Sequence, residues 1–162
     1  MKHAYDIAII GGGLVGLTTA LACASKGASV IVLDRDDPAR QRGAAFDGRA
    51  SAIAASSYQM YRRLGIAKAL DGDVQPITDI LITDGETGQK PSPLSLHFDS
   101  RDVDGSPMGY MIENRKLIGA LQDAVAAHTH IQLRAPVQID QMERQTQNAS
   151  VSLASGETID AK

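Results

Sequence analysis

Residues 6–16 read DIAIIGGGLVG, and a second apolar run, SVIVLD, closes on Asp34. Three consecutive glycines directly after an apolar strand are a costly choice, because a glycine inside a regular element loses about 0.5–1 kcal/mol relative to alanine. The stretch needs bare backbone. IAII has the continuous apolar character of a parallel strand covered on both faces, which predicts a strand over Asp6 to Ile10. A helix is predicted from about Gly13 to Lys26, ended by Gly27 as a C-terminal cap, and a second strand over Val30 to Leu33. Gly11, Gly13 and Gly16 then form G-x-G-x-x-G between strand and helix, the context that a dinucleotide fingerprint requires. In that reading Gly11 makes the tight turn, Gly13 lets the backbone approach a pyrophosphate, and Gly16 allows helix and strand to touch. The helix N-terminus offers free N–H groups to the phosphates. Ala20 supplies a small side chain where the helix crosses the sheet. Asp34 falls where a ribose diol would lie and would repel a 2′-phosphate, so the nucleotide is expected to be FAD or NAD rather than NADP.

The whole chain is consistent with one ordinary α/β domain: 162 residues, 43% of them hydrophobic, are enough to bury a core. Its alanine content suits close helix-on-sheet packing. A net charge of −3 with scattered basic residues gives no electrostatic footprint for nucleic acid. The single cysteine, Cys23, cannot form an internal disulfide and reads as a packing residue in the first helix. The apolar segment after MKHAY breaks at Gly11, too early for a signal-peptide core or a membrane span, so the protein reads as cytoplasmic. No metal is expected, since His128 and His130 stand two apart and no cysteine or carboxylate completes a ligand set.

Farther along, a second helix is predicted over about Arg49 to Leu64, with Ile53, Ser57, Met60, Tyr61 and Leu64 on one face and Gly65 ending it. ITDILITDG, LSLHFD and GYMIE read as strands, and residues 86–109 are turn-rich. A third helix is predicted over about Arg115 to His128, with Leu117, Leu121, Ala124 and Val125 on one stripe. IQLRAP and the segments near 137–143, 149–154 and 157–160 read as further strands. An NAD domain would continue from the second strand into another helix and parallel strand. Here a polar, glycine-rich stretch and antiparallel-looking strands follow instead, which favours FAD.

The stretches DIAIIGGGLVGLTTALACASKGASVIVLDR, DGRASAIAASSYQMYRRLGIAKAL, PITDILITDG and GYMIENRKLIGALQDA resemble the N-terminal part of the flavoprotein aromatic hydroxylases. The resemblance is closest to the branch that hydroxylates the ring of ubiquinone precursors. It implies an α/β, Rossmann-like FAD/NAD(P)-binding fold with a parallel sheet core plus antiparallel strands, in which about 72–110 belong to a substrate domain. It implies that Gly11, Gly13, Leu14, Val15 and Gly16 face the FAD pyrophosphate, that Asp34, with Arg35 beside it, holds the adenosine ribose, and that Arg49 reaches the diphosphate. Arg115 is implied to lie against the FAD, and Val137 to touch the adenine through its backbone. Both arginines are expected near helix starts, where a cation is unfavourable unless an anion is close, and a shared diphosphate would supply one.

The implied activity is that of an FAD-dependent monooxygenase, with NAD(P)H as transient co-substrate, O2, and a small aromatic substrate that is a prenylated phenol. Peripheral association at the inner membrane or with a biosynthetic complex is compatible with such a substrate. No residue is assignable as a catalytic acid or base. Family members also carry an apolar strand leading to Gly-Ala-Asp-Gly and a later Gly-Asp segment. Here Asp-Gly occurs at 47–48, 71–72, 84–85 and 104–105, each in a turn-like context. The chain is therefore expected to be an N-terminal fragment, inactive by itself and prone to self-association. The alternatives are a flavin-dependent dehydrogenase or reductase with the same nucleotide domain, and a non-catalytic nucleotide-binding module.

Overall fold

The computed structural model describes residues 5–42, 48–85, 87–88, 90 and 92–162. Positions 1–4, 43–47, 86, 89 and 91, which include part of MKHAY, the aspartate of the 47–48 Asp-Gly pair and part of the turn-rich stretch, lie outside the described residues. At the centre is a parallel sheet in the order β1 (Ile7–Ile10), β2 (Val30–Leu33), β8 (Ile131–Arg134). β2 is the middle strand, and all four of its side chains are fully buried. Val30 and Val32 enter one core cluster and Ile31 and Leu33 another, which is why VIVL carries no polar alternation.

On one face lie α1 (Leu14–Ala24) and α4 (Asn114–Ala126), packed on each other, with Leu17 and Leu21 of α1 and Leu117, Leu121 and Val125 of α4 in the shared core. On the other face lies an antiparallel meander of β9 (Ile139–Arg144), β10 (Ala149–Leu153) and β11 (Thr158–Ala161), whose Val151, Leu153 and Ile159 cover Ile31 and Leu33. Each helix feeds a parallel strand through a short turn and packs back against the sheet, so α1 and α4 both run opposite to the strands. Their N-termini therefore share the end of the sheet where the strands finish, which is where nucleotides bind in such sheets.

One sequence expectation is refined and another corrected. β1 is covered on both faces, with Ile7 and Ile9 against one core cluster and Ala8 against the other, but it is an edge strand of its sheet, so its first three residues are only half-buried and Ile10 is 48% exposed. The single helix expected over Arg49 to Leu64 is a strand, β3 (Ala50–Ala54), followed by a shorter helix, α3 (Ala55–Arg63). β3 pairs antiparallel with β7 (Gly109–Glu113), which also pairs with β4 (Val74–Ile77). Ile53 thus lies on a strand, and the buried positions of α3 are Tyr58 and Tyr61 rather than Ser57 and Met60. Tyr58 stacks on Tyr110 of β7 with ring centroids 4.0 Å apart. Arg49 precedes a strand, not a helix, so the dipole argument made for it from sequence does not apply; Arg115, second residue of α4, keeps that placement.

A short helix that the sequence did not suggest, α2 (Pro38–Arg42), follows β2. It buries none of its own residues. Polar bonds tie it to α4: the Arg42 guanidinium donates to Gln122 Oε1 at 2.8 Å and to Asp123, and Gln122 Nε2 donates to Gln41 Oε1 at 3.0 Å. Among the described residues, the remaining strands, β5 (Asp79–Thr83) and β6 (Ser95–Asp99), pair only with each other.

Asp6 joins three parts of the chain, accepting from the Ser29 amide and hydroxyl at 2.8 Å each and from the Lys162 ammonium at 2.5 Å. The Lys162 bond, with the Ser29 donors, holds its carboxyl far below the usual carboxylate range. Arg134 also lowers the Glu157 carboxyl, through a bidentate pair at 2.7 and 2.6 Å. A carboxylate depressed in the folded state stabilises above its unfolded pKa and loses that contribution as pH falls through the folded value. Asp6→Asn is therefore expected to melt below the native protein at neutral pH, with the gap narrowing as pH drops below about 4. Melting curves across that range check it, and a gap independent of pH would refute it.

Candidate functional site

The site begins where β1 and β2 end. Ile10 pairs with Leu33, so Gly11 and Asp34 leave the sheet at the same level, and the Gly11 N–H donates to the Leu33 carbonyl at 2.8 Å. Gly11 has φ +103°, a conformation that side-chain-bearing residues avoid, and it turns the chain sharply into α1. A Cβ built on Gly16 would overlap the Gly11 carbonyl oxygen, so α1 can sit this close to the turn only because Gly16 has none. Gly13 is the N-cap residue, exposed, and a Cβ there would meet nothing within 4 Å. No side chain caps α1 and none in its first turn is acidic, which leaves its leading amides for an anion. Leu14 packs against the core, and Val15 is 81% exposed.

Asp34 is half-buried. Its Oδ1 accepts the Asp36 N–H at 2.7 Å and its Oδ2 accepts the Gly12 N–H. Its carbonyl accepts the Val137 N–H at 2.8 Å. A cleft of about 930 Å³ opens here, lined by Gly11, Asp34, the exposed Arg35, Val137 and the flanking Ile10 and Ile139. Its walls are the carboxyl ends of β1 and β2 and the segment that leads from β8 into β9.

Arg49 and Arg115 come together by a different route. Pairing of β3 with β7 sets Ala50 opposite Glu113, and the Asn114 N–H donates to the Arg49 carbonyl at 3.1 Å. Ser51 Oγ donates to Asn114 Oδ1 at 2.6 Å across the same junction. The two arginines thus flank one strand-to-helix corner, although they are far apart in sequence. Arg115 Nε donates to Glu113 at 2.7 Å, a partly exposed pair of modest worth. Neither arginine is among the described residues lining the cleft. Among the described residues no group of three or more His, Cys, Asp or Glu side chains is arranged to hold a metal ion.

Sequence reading missed Gly12. It is buried, and a Cβ on it would come within 2.9 Å of Asp34 Oδ2. The signal was present: the run holds three glycines where the fingerprint needs two.

This arrangement of turn, helix N-terminus and strand-end acid is one that comparison can test. Residues 6–71 match the FAD dependent oxidoreductase family. The chain is 40% identical to the ubiquinone hydroxylase UbiL of Rhodospirillum rubrum over 97% of its own length and 35% of that protein's. It is 33% identical to the 3-demethoxyubiquinol 3-hydroxylase of Escherichia coli, over 97% of this chain and 39% of that one. Among solved structures, the p-nitrophenol 4-monooxygenase PnpA of Pseudomonas putida superposes on all of this chain and 40% of its own, with a TM-score of 0.71 at 16% identity. That likeness concerns the fold, and it agrees with the Rossmann-like, parallel-core architecture read from the sequence. The relatives agree with the hydroxylase resemblance. The chain spans 35–39% of the length of these two curated relatives.

Proposed function

We propose that this chain is the FAD-binding N-terminal part of an NAD(P)H-dependent monooxygenase that hydroxylates an aromatic ring, a prenylated phenol of ubiquinone biosynthesis. What carries the reading is the coincidence, at the carboxyl ends of β1 and β2, of a bare glycine turn, an uncapped helix N-terminus and the Asp34 carboxylate. Relatives named as a ubiquinone hydroxylase and a 3-demethoxyubiquinol 3-hydroxylase match 97% of the chain.

The residues fit FAD. Gly13 leaves empty space beside the leading amides of α1, where a diphosphate would be received. Asp34 would accept the adenosine ribose hydroxyls, Arg35 would cover that edge, and the Val137 carbonyl would meet the adenine. Leu14 and Val15 would border the diphosphate, with Arg49 and Arg115 supplying positive charge from their shared corner. When bound, FAD supplies the redox and oxygen chemistry, and NAD(P)H and O2 are its co-reactants. The chain's own part is to bind, neutralise and orient. Residues of about 72–110 contribute a piece of the substrate domain, and the rest of the activity belongs to a longer parent protein.

No helix among the described residues is long and apolar enough to cross a membrane. A prenylated substrate is reached from the cytoplasm by peripheral association with the inner membrane or with a biosynthetic complex.

A visible absorption scan of the parent protein, followed by NAD(P)H oxidation with and without a phenol, tests the proposal. Flavin absorbance with oxidation coupled to a hydroxylated product is expected. Flavin with uncoupled or phenol-independent reduction would point to a dehydrogenase or reductase, and absence of flavin to a nucleotide-binding module. Gly13→Val sharpens the test. Because a Cβ there meets no protein atom within 4 Å, helix content should be unchanged while the parent purifies without flavin. A yellow Gly13→Val protein would overturn the phosphate reading of the turn.

A further inference from the structure

Gly12 is the glycine of the run that the dinucleotide fingerprint does not use, and the structure shows what excludes a side chain from it. A Cβ would lie 2.9 Å from Asp34 Oδ2, 3.2 Å from its Cβ and 3.4 Å from its Cγ. Oδ2 is closer than a real contact allows and Cβ is tight, so the carboxylate would have to turn away from Gly12 and the Asp34 Cβ give by a few tenths of an ångström. The turn itself makes no such demand: Gly12 is not among the glycines with positive φ, and its backbone conformation is open to alanine. The requirement for glycine comes from Asp34.

We propose that Gly12 is a positioning residue for Asp34, its bare Cα and its N–H together setting the carboxylate that receives the adenosine ribose. This rests on the ribose reading of Asp34 given above. The Gly12 N–H donates to Oδ2 while the Asp36 N–H donates to Oδ1 at 2.7 Å. One donor comes from the turn after β1 and the other from the chain after β2, so the carboxylate is clamped between two segments before any nucleotide arrives. A carboxylate has about four acceptor sites, and two backbone donors leave capacity for a ribose diol. An acceptor already held in place saves the ordering cost that a freely rotating side chain would meet on binding. The third glycine therefore serves the ribose, while its neighbours serve the turn and the phosphates.

A double-mutant cycle separates this role from a merely structural one. FAD affinity is measured by titration for the parent protein and its Gly12→Ala, Asp34→Ala and doubly substituted variants. Gly12→Ala and Asp34→Ala are each expected to weaken FAD about tenfold, and the double variant to bind no worse than Asp34→Ala alone, because residues acting as one unit are not additive. Penalties that multiply, or native affinity in Gly12→Ala, would overturn the inference. Native affinity in Asp34→Ala would overturn the ribose reading instead. A ligand-free arm uses the 162-residue chain: the residue 36 amide, held by Asp34, is expected to exchange with deuterium faster in both Gly12→Ala and Asp34→Ala. An unaltered exchange rate at residue 36 in Gly12→Ala refutes the positioning role whatever the FAD result.

Discussion

Gly16→Ala is expected to lower the melting temperature by on the order of 10 °C, more than any other single methyl in the nucleotide turn. The added Cβ would overlap the Gly11 carbonyl oxygen and lie 3.0 Å from its carbonyl carbon. Both partners are backbone, so no rotamer change relieves the clash. Gly11 is held by its hydrogen bond to Leu33 and by its φ of +103°, while α1 is held by Leu17 and Leu21 in the core. Overpacking costs about 1–3 kcal/mol where side chains can adjust, and rigid backbone on both sides puts this case at or above that limit. For a domain of this size each kcal/mol shifts the melting point by about 2–4 °C. Gly13→Ala, whose Cβ meets nothing, is the control and should lose only the small contribution that separates glycine from alanine at an N-cap. A Gly16→Ala protein melting within about 2 °C of native would show that helix and turn are not in forced contact.

The same geometry explains which parts of the fold were legible in the sequence. Val30 to Leu33 was readable to the residue because a strand buried on both faces leaves no ambiguity of period, and GYMIE was readable because its ends are marked by Gly109 and by the polar start of α4. The glycine turn was readable because sterics at Gly11 and Gly16 are local. ASAIA at 50–54 was not. Its small residues carry neither a helical stripe nor a strong strand preference, and what makes it a strand is a partner more than fifty residues away: all five residues pair with β7, and a Cβ on Gly109 would sit 2.6 Å from the Ile53 carbonyl oxygen, so the approach at that end requires a glycine. α2 was invisible for a related reason, since it is fastened by Arg42 and Gln122 rather than by an apolar face. At the site, Asp34 and the glycines followed from spacing. That Arg49 and Arg115 flank one corner follows from the β3–β7 pairing, which no local pattern encodes.

The 162-residue chain is expected to purify colourless, to bind FAD at least about a thousandfold more weakly than its parent, and to self-associate. The groups assigned to the adenosine and diphosphate half of FAD are present, but the cleft that Gly11, Asp34, Arg35 and Val137 line is open, and the chain spans only 35–39% of the two hydroxylase relatives described above. On the proposed function, the contacts to the rest of the cofactor come from the remaining length of the parent protein. Each lost hydrogen bond is worth about 1 kcal/mol and each 1.4 kcal/mol is tenfold in affinity, so losing a handful of bonds together with burial of the flavin ring reaches three orders of magnitude. The tendency to associate comes from β5 and β6. Their register places Ile80 opposite Phe98 and Ile82 opposite Leu96 on one face of a two-stranded ribbon, and these four side chains are 38%, 45%, 52% and 53% exposed. A two-stranded ribbon is marginal without a partner layer, and a contiguous apolar face seeks one. Calorimetric titration with FAD and light scattering on one sample measure both outcomes, and Ile82→Lys with Leu96→Lys should return the scattering mass toward that of a monomer. A stoichiometric, tightly held flavin on a monomeric chain would show that residues 1–162 close the site by themselves.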